Sequence, residues 1–241
     1  MYGLPKATAR RCWTTVPANC IAGLVVSMST SAAIAASSEF VARGNEPGWM
    51  IRRTDSGITF QPMMGTALTI EPLPAAEKLD GAEIYQASVG NQPFKLTITT
   101  KVCVDTMSGM PFPASVSVEI GGKRLSGCGG DPETLLRGNW IVRQIDGKPL
   151  VSGSEVTLAF GDDGIIAGKA SCNRYVGKFT LTGDTLTISS SGATRMMCDP
   201  LLMEQEDRFL KVLQATTRFE IGQDGSLTLH AKDGPTLAAR R

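Results

Sequence analysis

The sequence predicts a mainly β protein of two small antiparallel domains, barrel- or sandwich-like, the second with one α-helix packed on its sheet. Three observations carry this. Short runs of alternating apolar and polar residues recur at spacings of roughly ten residues, each bounded by Gly, Pro, Asp or Asn. A sharp composition break at Gly129-Gly130-Asp131-Pro132 separates two such sets of runs. One window alone has a helical period, starting at Asp199-Pro200 and ending near Gln214.

Taken in order, the chain begins with Lys6, Arg10 and Arg11, followed by an apolar, Ser-rich stretch from Ile21 to Ile34. Ala33-Ile34-Ala35 has the small-x-small form of a signal-peptidase site, and no Asp or Glu precedes Glu39. Residues 1–35 are therefore expected to be a cleaved secretory signal, which makes the mature chain periplasmic or secreted. Membrane association is expected only if the signal stays uncleaved, and the stretch falls short of the ~20 apolar residues that span a bilayer. Cys20 does not mark a lipoprotein, because the apolar run follows it and Pro17-Ala18-Asn19 precedes it.

The first domain is expected over residues 39–130. Trp49–Arg53, a turn at Asp55-Ser56-Gly57, Ile58–Phe60, Ala67–Ile70, Glu83–Ala87, Phe94–Ile98 and Val116–Ile120 read as its strands. The second domain is expected over 133–241. It opens with Leu136-Arg137-Gly138-Asn139-Trp140-Ile141-Val142, continues through Val156–Phe160 and Ile166–Gly168, and reaches Cys172-Asn173-Arg174-Tyr175-Val176-Gly177. Lys178–Thr182 and Thr185–Ser189, joined by Gly183-Asp184, form a hairpin with a cysteine outside each end. Asp199 is a good N-cap with Pro200 at the first helical position. Leu201, Leu202, Phe209, Leu210, Val212 and Leu213 then fall on one arc at ~100° per residue, and Glu206 falls inside it. Arg218–Ile221 and Ser226–His230 complete the strands, and Asp233-Gly234 turns the chain once more.

Four cysteines remain after signal removal: Cys103, Cys128, Cys172 and Cys198. Three connectivities are possible, two of which would staple the halves together; the matched spacings of 25 and 26 favour local Cys103–Cys128 and Cys172–Cys198 bridges.

The central motif C-N-R-[FY]-x-G (Cys172–Gly177), followed by Thr194-Arg195-Met196-Met197-Cys198, resembles the META domain of the HslJ heat-shock family. That resemblance implies a compact antiparallel β structure with one packed helix, and a stress-response setting. Gly44-Asn45-Glu46-Pro47-Gly48-Trp49 and Cys103-Val104-Asp105-Thr106-Met107-Ser108-Gly109 resemble the G-[NT]-E-P-x-W and C-x-D-x-M-S-G motifs of an uncharacterised family of bacterial envelope proteins. Proteins of that family are sometimes fused to lysozyme-inhibitor domains, which implies an envelope location.

Chemistry is sparse. His230 is the only histidine and alternates outward, so a Ser-His-Asp or Cys-His nucleophile is excluded. No C-x-x-C occurs, and neither a metal nor an organic cofactor is expected. Mature charge is near neutral, 24 − 3 = 21 Lys and Arg against 23 Asp and Glu, which gives no electrostatic claim on nucleic acid. The chain is expected to be a non-enzymatic envelope protein, a binding or structural module for an unidentified protein or small molecule. The alternative is an inhibitor or ligand-capture protein, suggested by the fusion partners and by Ser190-Ser191-Gly192-Ala193. Candidate binding or structural residues are Glu46, Trp49, Asp105, Asn173, Arg174, Arg195 and Glu206. A carboxylate at Glu206 would need partners in an apolar arc, either the Arg174 and Arg195 guanidiniums or the backbone N–H groups of the Asn173 turn.

Overall fold

Alternation sets the strands, and their glycine and proline boundaries set the turns. The computed structural model describes residues 39–232 and 234–241; the expected signal and Asp233 of the last turn lie outside them. The first half contains β1 (Phe40–Asn45), β2 (Gly48–Arg53), β3 (Ile58–Pro62), β4 (Leu68–Ile70), β5 (Glu77–Leu79), β6 (Ala82–Val89) and β7 (Gln92–Thr99). It continues with β8 (Cys103–Val104), β9 (Pro111–Phe112), β10 (Ala114–Ile120) and β11 (Lys123–Gly129). Nine of these form one antiparallel sheet in the order β4-β3-β2-β1-β11-β10-β7-β6-β5, curved into a half-barrel, while β8 and β9 pair with each other beside it. Trp49, Ile51, Ile58, Phe60, Phe94, Leu96, Ile98, Val116 and Val118 point inward and form its core.

A one-turn helix α1 (Glu133–Leu136) leads into the second half. There follow β12 (Gly138–Ile145), β13 (Lys148–Pro149), β14 (Thr157–Phe160), β15 (Ile165–Lys169), β16 (Arg174–Thr182) and β17 (Thr185–Ala193). Then come α2 (Pro200–Gln214), β18 (Thr216–Ile221), β19 (Leu227–Ala231) and β20 (Thr236–Arg240). The sheet order is β17-β16-β15-β14-β12-β20-β19-β18, with β13 on β12. Its two end strands run alongside each other, so the sheet is a nearly closed barrel. Trp140, Leu158, Phe160, Ile166, Tyr175, Phe179, Leu186, Phe219, Leu229 and Leu237 fill it. In β12 the inward period breaks between Val142 and Ile145 because a bulge lies between Val142 and Gln144.

Helix α2 packs against β12, β17, β19 and β20. The Asp199 side chain accepts a hydrogen bond from Leu201 N–H at 2.9 Å, and Pro200 supplies no orphan donor. The buried face is Gln205, Glu206, Phe209, Val212 and Leu213. Leu201, expected on the apolar arc, is exposed instead; polar Gln205 and Glu206 take the N-terminal part of the face.

Strands β1, β5, β8, β9, β11, β13 and β20 were not expected from the sequence. In β11 the reason is physical: Lys-Arg-Leu-Ser-Gly-Cys-Gly lacks apolar alternation, because a Cβ at Gly127 would strike Arg43 and the Trp49 indole.

The two halves share packing. Met110 and Phe112, on and beside β9, belong to the second core and not to the first. Both disulfides are local: Cys103–Cys128 with Cα atoms 5.5 Å apart and Cys172–Cys198 at 6.1 Å. The second closes a loop of 26 residues, so the double Ser variant of Cys172 and Cys198 is expected to lose about 3 kcal/mol of unfolding free energy in urea titration.

Candidate functional site

Two polar centres gather most of the candidate residues, and each begins with a loop that local sequence makes rigid. The first is the Cys103–Phe112 segment. The Asp105 carboxylate accepts the N–H of Met107 at 3.0 Å, the N–H of Ser108 at 2.8 Å and the Ser108 hydroxyl at 2.9 Å. Its other oxygen accepts the Asn45 side-chain amide at 2.9 Å, and the same amide donates to Thr106 Oγ1 at 3.1 Å. An Asp followed three residues later by Ser, with Gly109 at positive φ, folds back on itself this way. Partial burial pushes the Asp105 carboxyl up, but the hydrogen bonds from Ser108, Asn45 and Met107 outweigh it and hold the group below the usual carboxylate range.

The two first-half motifs therefore meet. Asn45 reaches across to the Asp105 loop, and Trp49 is buried against the backbone of Gly44 and Gly127, where any side chain would collide with the indole. The Cys103–Cys128 bridge ties the loop to β11. Glu46 is exposed on the turn between β1 and β2 and joins none of these contacts.

Beside this loop opens a cleft of about 550 Å³. Arg43, Asn45, Asp105 and Ser108 line one side, Met110 and Phe112 supply apolar surface, and the Gly183-Asp184 turn of the β16–β17 hairpin reaches in from the second half.

The second centre lies at the start of the C-N-R motif. Ser171 has φ +100°, a left-handed conformation costly for a residue with a side chain. It aims the next two N–H groups at one point. The buried Glu206 carboxylate receives them, from Cys172 at 3.2 Å and Asn173 at 2.7 Å, and accepts the Asn173 side-chain amide at 2.8 Å. Asn173 Oδ1 accepts the Thr194 hydroxyl at 2.8 Å and the Met196 N–H at 2.7 Å. One asparagine thus ties α2 to the segment before Cys198.

Among the described residues, Glu206 finds its partners in that turn and not in arginine. Arg174 and Arg195 are both exposed. Strand parity explains Arg174, since Tyr175, Gly177 and Phe179 face inward along β16. Sequence reasoning missed Gln205. It is buried, accepts Val151 N–H at 2.6 Å, and donates to the Ser154 and Ser171 hydroxyls, each at 2.9 Å. Its signal was present: Gln205 lies four positions before Phe209 on the packed face.

His230 Nε2 lies 3.3 Å from the Glu220 carboxylate and joins neither centre's hydrogen bonds. No three His, Cys, Asp or Glu side chains gather into a metal-holding group among the described residues. No helix among them is long and apolar enough to cross a membrane.

Residues 133–241 match the META domain family along their whole length. That segment is similar to META domains. Heat shock protein HslJ of Escherichia coli (strain K12) is 29% identical over 92 residues, which cover 37% of this chain and 65% of that relative. The chain thus spans just under two thirds of the relative's length. An NMR structure of a protein from Burkholderia xenovorans shares 27% identity, covering 45% of this chain and 85% of that one, with a TM-score of 0.39. A second NMR structure shares 28% identity over 46% of this chain and 94% of its own, with a TM-score of 0.37. The matched segment contains the whole Asn173–Glu206 centre and one wall of the cleft; the Asp105 loop lies outside it.

Both centres yield expected outcomes. Glu206→Gln sets an amide against the Asn173 amide and is expected to lose about 1.5–3 kcal/mol of stability in urea unfolding while retaining the β circular dichroism. Asp105, depressed when folded, binds protons more readily in the unfolded chain. Its contribution is therefore full above the ordinary carboxylate range and is lost as pH falls through the folded value. Unfolding midpoints of the parent chain and Asp105→Asn, followed downward from about pH 5, are expected to converge as the acid limb is reached.

Proposed function

We propose that this chain is a non-catalytic binding protein of the cell envelope, of the stress-response type, whose ligand occupies the cleft shared by the Asp105 loop and the META hairpin. The cleft carries this reading: residues of both halves line it, and they combine polar Arg43, Asn45, Asp105 and Ser108 with apolar Met110 and Phe112. Ligand sites have this composition, apolar with a few fixed polar groups. Of the three candidate carboxylates, Asp105 and Glu206 are occupied in holding loops, and Glu46 stands apart from both on the exposed β1–β2 turn.

The heat-shock designation of the HslJ relative supports the stress-response assignment. The basic start, apolar run and Ala33-Ile34-Ala35 site support export by a signal ending near residue 35. The inhibitor alternative rests on the fusion partners and on Ser190–Ala193, a stretch that lies in strand β17.

The experiment has two arms. The full chain, expressed with its own N-terminus, is expected in the osmotic-shock fraction with a mature N-terminus between residues 35 and 39. A panel of small envelope molecules, titrated while backbone amide shifts are followed, is expected to move Asn45, Ser108 and Asp184 together, and Arg43→Ala is expected to weaken that response. Cytoplasmic retention would refute the location, and shifts confined to other surfaces would refute the cleft.

A further inference from the structure

We propose that the exposed methionines form a sacrificial oxygen-accepting surface, a set of modification sites that take oxygen from hypohalous acid while the fold stays intact. This goes beyond ligand binding and does not depend on the cleft.

The observation is a division among methionines. Met63, Met64, Met107, Met196 and Met197 are 81%, 90%, 80%, 56% and 98% exposed. Met50 and Met203 are half-buried, and Met110 is 4% exposed and packed in the second core. Methionine is normally retained for filling irregular core space, which accounts for Met110. Of the five exposed ones, Met63 rests its side chain against Gly48, and the other four stand out from the surface. The five occupy three connections: β3 to β4, β8 to β9, and β17 to α2.

Each connection is held by groups other than the thioether. Met63 N–H donates to Gly48 C=O at 2.8 Å. Met107 N–H donates to Asp105 at 3.0 Å, and Met196 N–H donates to Asn173 at 2.7 Å. A sulfoxide formed on these side chains points into water, where its new acceptor is solvated. In the core the same oxygen would be an unpaired buried acceptor.

The remaining sulfur reinforces the assignment. All four described cysteines are in disulfides, so no thiolate among the described residues competes for oxidant. In the step itself the thioether sulfur attacks the oxygen of HOCl. The O–Cl bond breaks, chloride leaves with the electron pair, and the hydroxyl proton passes to water. Sulfur is oxidised by two electrons to the sulfoxide, and chlorine is reduced to chloride.

The test treats the purified full chain with rising equivalents of hypochlorous acid at neutral pH, and maps oxygen by peptide mass spectrometry. The first oxygens are expected at Met63, Met64, Met107, Met196 and Met197, with the melting temperature unchanged, and at Met110 only after denaturant is added. A companion variant carrying Leu at those five positions, shown folded by circular dichroism, is expected to lose the parent's ability to spare co-incubated N-acetylmethionine. Early oxygen on Met110, a melting temperature that falls with the first oxygens, or equal sparing by the Leu variant would overturn the proposal.

Discussion

The second half depends on one buried carboxylate. Glu206 sits on a helix face that otherwise packs Phe209, Val212 and Leu213 into a barrel, and burying its charge is tolerable only because three N–H groups converge on it. Those donors come from a turn that Ser171 holds in a conformation a non-glycine residue rarely adopts. Backbone strain, helix position and the asparagine are thus a single device. Each part would be unfavourable alone. Together they fix the angle at which α2 crosses the sheet and the path by which the chain returns to Cys198.

The first half solves the same problem with different chemistry. There the carboxylate belongs to the loop and not to a helix, and it is satisfied mostly by its own neighbours, Met107 and Ser108, with Asn45 as the outside contact. A disulfide stands beside each device: Cys103 two residues before Asp105, and Cys172 directly before Asn173. Each bridge limits the unfolded chain, while the hydrogen bonds choose one loop conformation among those the bridge permits. Only the Asp105 loop of the two lines the cleft, so its hydrogen bonds fix part of that recess in advance.

Much of this was legible in the sequence because period-2 alternation is a local property. Phe94, Leu96 and Ile98 declare their strand without reference to anything distant, and Asp199-Pro200 declares the start of α2. What was not legible depends on distant partners. β11 has no apolar rhythm because its glycines answer to other strands, Gly127 to Trp49 and Gly129 to Phe40 and Ala42. Leu201 satisfies the helical wheel but faces water, and Gln205 replaces it on the buried face because Val151, Ser154 and Ser171 happen to stand opposite. The partner of Glu206 was open between arginine and backbone until the turn geometry decided it. The parity of β16 already contained part of that answer, since a side chain next to inward Tyr175 must point outward.

Met110 has a consequence for how these two halves could be recombined. It leaves the first sheet on a short loop and packs in the other half's core, with Phe112 beside it. A chimera joining the first half to a different barrel would therefore present a thioether and a phenyl ring to a surface not shaped for them. The linker sequence could be kept and the graft would still fail at β9. Any functional transplant of this pair would have to carry the plug and its socket as one unit, so the portable piece is larger than the residues matched by either motif set.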